Sequence, residues 1–489
     1  MPQVPRPQVF LLLIFAALFM AAVQADQDTN LRLNQGIDYR ASRQDRHLLD
    51  ESVSTTLVID GQPYLVGNNL NDVGRALYVS VQRQQWADAF KLRARYVALP
   101  GHDIMLLAYA DGALARAAGH LGQAEFHYRK LLEMQADFLP GQLELARVLF
   151  ENHKDRESAA AFRQIKLTID SDDAHNNGLL NTINSFTDAL AHRERWQGSL
   201  AVGPTWADNL NRSSESRTTY RLESSEGIYV VERRMPEAVS GDGTDYEAAL
   251  NKRVALSGHH GVFARVLAYG QAYNRQGKYN EDTLTSSTGY SYQDAYSQYS
   301  FGPSFEYNRL GSEPMYSAWG LRGDWVRNLS ATRLIKLEAE YKELVYRGQY
   351  GKTYDGGTTA LYATVWQVLP RRWVLFGGGD LTRRGSEDDT EAYIQKGLRF
   401  GVAKEFDIGI SAVLFASWRI RQYDAYSALL DSRRHELEKG YTIIARVPQL
   451  AYHGFVPGLT VKYSEVQSNV SWLYNYERSS VSIKLEKQF

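Results

Sequence analysis

From Trp196 onward the chain alternates apolar and polar side chains with a period of two, through about fourteen segments. The segments are 196–206, 243–257, 261–274, 281–293, 297–308, 314–328, 332–347, 357–369, 371–384, 391–406, 409–424, 434–448, 457–467 and 477–489. In the seventh, Ile335, Leu337, Ala339 and Tyr341 alternate with Lys336, Glu338, Glu340 and Lys342. In the eleventh, Ala412, Leu414, Ala416 and Trp418 oppose a mixed face ending in Arg419 and Arg421. Successive side chains of an extended strand point to opposite faces, so each segment presents one apolar and one polar surface. Most reach the ~9–11 residues that a tilted strand needs to cross a bilayer. The connections add an independent constraint. Nearly every second one is short (Gly258-His259-His260, Asp294-Ala295-Tyr296, Leu329-Ser330-Ala331, Pro370, Asp407-Ile408). The others (207–242, 275–280, 309–313, 348–356, 385–390, 425–433, 468–476) are mostly longer and more polar. Short turns at one end and long loops at the other are the asymmetry of a transmembrane barrel. The connection 449–456 is the exception, being long for a turn at the short end. A soluble sandwich is the alternative, and it fits poorly with about 290 residues that show no clear helix or domain break.

Composition excludes several classes. Lys+Arg and Asp+Glu number 55 and 56, so the basic footprint of a nucleic-acid binder is missing. With no cysteine there is no disulfide, thiol nucleophile, Cys-based zinc site or lipoprotein anchor. The 31 tyrosines and 9 tryptophans suit interfacial aromatic girdles. The last strand places Val481, Ile483, Leu485 and Phe489 on one face and Ser482, Lys484, Glu486 and Gln488 on the other, with Lys487 breaking the apolar stripe. A closing aromatic of this kind is expected to act as a barrel-assembly signal, read by the assembly machinery.

The first residues form a separate object. Arg6 precedes the apolar run Val9–Met20, and the small-residue stretch 21–25 precedes Asp26, the pattern of a secretory signal peptide. Between about 66 and 192 the period becomes helical. Ala124, Tyr128 and Leu131 recur 34 residues later as Ser158, Phe162 and Ile165, the tetratricopeptide spacing. Small residues let two helices approach, and the aromatic four positions on fills the gap between them. Residues 85–90 read as an earlier, degenerate copy. The expected architecture is thus an α+β multidomain chain. It runs as signal peptide (1–25), N-terminal extension (26–65), α-helical TPR-like repeats (66–192) and a 14-stranded transmembrane antiparallel β-barrel (196–489).

This combination resembles the surface lipoprotein assembly modulators (Slam proteins) of Gram-negative bacteria. The resemblance spans about residue 66 to Phe489. It is sharpest in Pro457-Gly458-Leu459 through Ser468-Asn469-Val470, Tyr474-Asn475-Tyr476 and Leu485-Glu486-Lys487-Gln488-Phe489. It also shows in Phe138-Leu139-Pro140 leading into Leu143–Glu151, and in Asn209-Leu210-Asn211 after Trp206. The resemblance implies an outer-membrane protein whose helical domain faces the periplasm and which delivers surface lipoproteins or related secreted proteins. The implied partners are that cargo, outer-membrane lipid, the barrel-assembly machinery and a periplasmic chaperone. The inner groove within 76–165 is the expected recognition surface, and 207–242, with Tyr220, Tyr229 and Val230-Val231, an external hairpin or lid.

Residues that tempt an enzymatic reading carry little weight. His259-His260 point apart on an extended turn and have no third ligand nearby in sequence. Glu387-Asp388-Asp389-Thr390-Glu391 lacks the spacing of a calcium loop and reads as a solvated loop. Gly377-Gly378-Gly379-Asp380 lacks the lysine and helix of a phosphate loop, and its glycines mark close packing or a kink in the wall. No Gly-x-Ser-x-Gly elbow occurs. No catalytic residue, metal or cofactor is expected. A TPR-barrel polysaccharide exporter and a passive porin are the alternatives.

Overall fold

The computed structural model describes residues 66–169, 176–224, 227–348 and 351–489, plus a small ladder between Val58–Ile59 and Gln62–Pro63. The signal peptide expected at 1–25 and most of the 26–65 extension lie outside the described residues.

The helical part comprises α1 (Leu70–Gln82), α2 (Trp86–Val97), α3 (Ile104–Ala117), α4 (Leu121–Met134), α5 (Leu139–Glu151), α6 (Asp155–Thr168) and α7 (Asn177–Glu194). Starts are fixed locally. The Asn69 side chain accepts the Asp72 N–H, Asp103 accepts the Met105 N–H, and α5 carries Pro140 in its first turn. Within each pair the turn passes through a residue at positive φ: Gln84 (57°), Gly119 (78°) and His153 (54°). The repeat therefore reproduces a left-handed turn residue as well as a core pattern, although only one of the three is glycine.

Ala124, Tyr128, Leu131 and Ser158 are fully buried, and Phe162 and Ile165 nearly so. The Tyr128 ring lies where a side chain on Gly112 would collide with it, while Ser158 Oγ donates to Ala146 O at 2.9 Å. Gly112 and Ala146 are 34 residues apart, so the small partner on the preceding helix repeats as well. In the degenerate first copy Ala89 is buried but Phe90 is exposed, and the Tyr96 ring covers Gly74 instead. Phe162 stacks on Phe186 with centroids 5.0 Å apart, so α7 closes the end of the array.

The barrel strands are β1 (Gln197–Ala207), β2 (Gly241–Ala255), β3 (His260–Tyr273), β4 (Glu281–Gln293), β5 (Ser297–Leu310), β6 (Glu313–Ser330) and β7 (Arg333–Tyr346). They continue with β8 (Gly356–Leu369), β9 (Trp373–Arg384), β10 (Tyr393–Glu405), β11 (Ser411–Ser427), β12 (Ser432–Arg446), β13 (Phe455–Ser468) and β14 (Tyr476–Gln488). Each pairs antiparallel with its sequence neighbour, and β14 returns to β1, so the sheet closes with no edge. Closure gives every strand a partner on both sides, which is the condition for strands to stand in hydrocarbon.

Polarity is inverted relative to a soluble core. Arg399, Arg419, Arg421, Glu436 and Glu438 are buried inside, whereas Leu398 (68% exposed), Ile420 and Ile483 (57%) face outward. Val481, Leu485 and Phe489 share that outer face, and the Phe489 and Gly198 main chains exchange two hydrogen bonds. No helix among the described residues is long and apolar enough to cross a membrane.

Strand limits differ from the alternation by a few residues, for local reasons. β9 begins at Trp373 rather than 371 because Arg371 (φ 59°) and Arg372 (φ 60°) form the turn. β12 ends at Arg446 and β13 starts at Phe455, because Pro448–Leu450 form a 3-10 turn and Tyr452 bridges to Phe455. The long 449–456 connection is therefore a structured turn.

Candidate functional site

Because β1 begins and β14 ends at the short-turn end, the helices that precede β1 meet the barrel there. Two of the turns within helix pairs dock on two strand turns. Between α3 and α4, Gly119 O accepts from Tyr296 Oη at 2.6 Å, and Ala295 packs against the helical core. At the start of α6, Glu157 accepts the Gly258 N–H at 2.6 Å. Asp155 joins the two domains most directly. It takes Arg193 Nη1 at 2.6 Å from α7 and Arg253 Nη1 at 3.5 Å from β2. Arg193 also donates to Phe150 O and lies 3.8 Å over the Phe150 ring, while Arg253 donates to His259 O and Ser291 Oγ.

Between these contacts lies a cavity of about 480 Å³ lined by Arg116, Glu151, His153, Arg193, Arg265 and Asp324, among others. It joins the inner wall of the helices to the barrel mouth. The lining is charged in alternation. Arg116 donates to Glu151 Oε1 (2.6 Å) and Glu144 Oε2 (2.9 Å) on the helical side. Arg265 meets Asp324 (2.6 Å) and Arg322 meets Glu338 (2.5 Å) inside the barrel. Burial disfavours the Arg116 charge, but Glu151 and Glu144 outweigh it and hold the guanidinium protonated. Burial likewise pushes up the Glu125 carboxyl, and its hydrogen bonds from Lys154 and Arg129 prevail and hold it below the usual range. His153 is pushed down to about 3 by burial and by Arg193, so it stands neutral beside the junction.

Further along the lumen, Asp380 lies over Gly397, whose missing side chain makes room for it, and meets Arg399 (3.0 Å) and Arg419 (3.8 Å). Arg421 bonds Glu436 (2.9 Å), and Arg434 bonds Glu391 (2.6 Å) and lies over Tyr423 and Tyr474. Glu391 thus departs from the solvated loop expected at 387–391, because a buried guanidinium draws it to the wall. Gly378 permits a close approach of the β8 main chain, the packing role expected of the glycine run.

At the long-loop end, residues 208–216 fold inward. Asn209, Leu210, Asn211, Arg212 and Ser213 are buried, and Ser214 Oγ donates to Trp472 O at 2.6 Å. Arg217–Ser224 and Gly227–Arg234 follow as a hairpin in which Tyr220 pairs with Val231 and Leu222 with Tyr229. The expected hairpin is present, and the segment before it reaches into the lumen, where Arg212 meets Glu281 at 3.6 Å and shares a pocket with Arg419.

His259 Nδ1 lies 3.1 Å from Gln293 O and His260 Nδ1 lies 2.6 Å from Tyr290 Oη. The two rings thus have separate hydrogen-bond partners, although both pack against Tyr292. Asp155, Glu157, Arg193, Arg253 and Arg212 went unnoticed in the sequence. Arg253 lies 98 residues from Asp155, and no local pattern links such a pair. Only Tyr296, an aromatic in a three-residue turn, carried a signal.

The family model for the surface lipoprotein assembly modifier matches residues 196–489, and that for its N-terminal TPR repeats matches 62–162. The chain belongs to the surface lipoprotein assembly modifier family. The hemophilin secretion modulator of Acinetobacter baumannii is 40% identical over 95% of this chain and 96% of that protein. Surface lipoprotein assembly modifier 2 of Haemophilus influenzae is 26% identical over 81% of this chain and 80% of its own length. Surface lipoprotein assembly modifier 1 of Neisseria meningitidis serogroup B is 25% identical, covering 88% and 86%. Membership accounts for the order of helical repeats and barrel, and for an outer-membrane setting in which the exposed apolar face meets lipid.

Proposed function

We propose that this family member delivers an exported protein across the outer membrane to the cell surface, with the helical domain in the periplasm. The observation that carries it is the junction. The helical array is fixed to the short-turn rim by Asp155, Glu157 and Tyr296, and the cavity beside these contacts continues into the barrel mouth. Short turns of such barrels face the periplasm, which supports this orientation.

Cargo arrives incompletely folded, or held by a periplasmic chaperone, and meets alternating charges that can exchange hydrogen bonds with a passing polypeptide. The step is binding and release without catalysis, driven by folding of the cargo outside. Relatives are named for hemophilin and for surface lipoproteins. The cargo class is therefore a surface-destined protein, lipidated or not. The closing apolar face of Val481, Ile483, Leu485 and Phe489 serves insertion by the barrel-assembly machinery. Both family matches disfavour the polysaccharide-exporter alternative.

Deleting the gene and labelling the surface of intact cells tests the reading, with the candidate cargo encoded beside it as the readout. Loss of surface cargo with periplasmic accumulation supports delivery; unchanged display refutes it.

A further inference from the structure

We infer that the β1–β14 seam is a lateral exit, and that an extended strand of the exported protein pairs there during passage. This rests on the delivery reading above and specifies its route.

Three observations single out this junction. First, its ladder is interrupted. The register runs from Ser480–Ala207 to Ser482–Thr205, lapses opposite Gly203-Pro204, and resumes from Leu485–Val202 to Gln488–Ser199. Pro204 has no N–H to donate, and its place in the β1–β2 ladder is intact opposite Thr244. On its other side β14 pairs with β13 without a break from Val466–Tyr476 to Phe455–Lys487. The β4–β5 ladder also lapses beside a proline, Pro303, and the β11–β12 ladder lapses between Gln422 and Tyr426, but these keep 11 and 14 register pairs against 7 at the seam.

Second, the outer part of the seam is closed by a loop. Past Ala207, the Asp208 N–H donates to Ser479 O at 3.2 Å. The Ser479 N–H donates to the Asp208 carboxylate at 2.7 Å, and Asn209 Nδ2 donates to Glu477 O at 3.0 Å. These residues open the 208–216 segment, which carries Arg212 into the lumen. One displacement would therefore withdraw this segment from the lumen and release the outer edge of β14 together.

Third, the seam is lined for backbone traffic. Its lumen side carries the short hydroxyls Ser199, Thr205, Ser480 and Ser482, all buried. Its outer side carries Val202, Trp206, Val481 and Ile483, all exposed. An incoming strand that continues the sheet must match both surfaces. The occupant is thus an alternating segment of the cargo, apolar side chains toward lipid and polar ones toward the lumen.

The native chain has no cysteine, which makes a two-cysteine lock specific. Thr205 and Ser482 share a 2.8 Å hydrogen bond across the seam. Thr205→Cys with Ser482→Cys should form a bridge under oxidation. Ala360→Cys with Thr382→Cys, a buried register pair of β8–β9, is the control lock. Both are expressed in cells lacking the native gene; gel mobility reports folding and bridge formation, and surface labelling reports cargo.

The oxidised seam lock should lower surface cargo at least tenfold, with recovery on adding reductant, while the control lock delivers normally. Full delivery by an oxidised seam lock overturns the inference and leaves the delivery reading intact. A photo-cross-linker at Val481 or Ile483 provides a second readout if the cysteine variants assemble poorly. Cargo adducts there, and not at Leu398 on β10, four strands away, support the seam; adducts at Leu398 alone refute it. Surface cargo that never depended on the gene refutes the delivery reading itself.

Discussion

Replacing Asp155 with alanine should uncouple the helical domain from the barrel. The carboxylate is 5% exposed and shared between Arg193 (13%) and Arg253 (14%), so its removal leaves two largely buried guanidiniums without their shared anion. Breaking a buried pair from one side costs about 3–5 kcal/mol. Both arginines keep other acceptors, Phe150 O for one and His259 O and Ser291 Oγ for the other, which favours the lower end of that range. Asp155 is also the first residue of α6, and its charge on the helix start adds about 0.5 kcal/mol. For a helical domain of this size, about 3 kcal/mol corresponds to roughly 10 °C in melting temperature. The assay is thermal unfolding of purified protein in detergent, where the helical domain should melt first and the barrel transition should not move. Asp155→Asn should fall between wild type and Asp155→Ala. In a double-mutant cycle, Arg253→Ala should couple to Asp155→Ala by about 1 kcal/mol or more. A helical transition within about 1 °C of wild type, or no coupling to Arg253, would refute the claim that this carboxylate fastens the domains.

Phe162→Ala should cost the helical domain about 3–5 kcal/mol by opening a cavity beneath α7, seen as a lowered first transition in the same melt. Leu398→Arg, on the lipid-facing side of β10, should destabilise the barrel by about 2–4 kcal/mol, measured by denaturant titration in bilayers, and leave the helical transition unmoved. His153 is neutral in the folded protein down to about 3, whereas an unfolded histidine protonates near 6.5. The unfolded state therefore binds the extra proton between those values. Its share of stability is complete above pH 6.5 and drains by at most about 1.4 kcal/mol per pH unit as pH falls toward 3. His153→Asn, which tolerates the same left-handed backbone, should flatten the acid side of the helical melting profile. An unchanged slope would assign the acid sensitivity to other groups.

Architecture was legible because both periods are enforced by one-dimensional rules. A strand between lipid and a polar lumen must alternate, so Ile335–Lys342 and Ala412–Arg421 disclosed their faces residue by residue. The 34-residue recurrence of Ala124–Leu131 as Ser158–Ile165 disclosed the helix pairs because packing repeats with the chain. Turn chemistry was less legible. Arg371 and Arg372 adopt positive φ where asparagine and glycine would have announced a turn, and this displaced the start of β9. The junction could not be read at all. Asp155 meets Arg253 only because barrel closure brings the β2–β3 turn under α6, a consequence of the whole fold. The 387–391 loop failed for the same reason: Glu391 answers to Arg434, which lies at the start of β12, just after a different loop.

The distribution of charge inside the barrel bears on where it can open. From β9 to β12 the wall is joined by shared ions. Asp380 lies between Arg399 and Arg419, Glu438 between Arg419 and Arg421, and Glu436 between Arg421 and Arg434. Separating any two of these strands would strand a buried charge, at about 3–5 kcal/mol for each pair broken from one side. At β1 the bridging is of another kind. Lys484 reaches over the strand to Asp245 at 3.1 Å, and Arg478 reaches Gln271 and Tyr273, so long side chains on β14 span to β2 and β3. Lysine and arginine stems of that length can swing with β14 and find water or cargo acceptors in an open lumen, which a guanidinium wedged between neighbouring strands cannot do. The wall is therefore stiff along β9 to β12 and compliant at the seam. A barrel built this way yields between its first and last strands before it yields anywhere along β9 to β12.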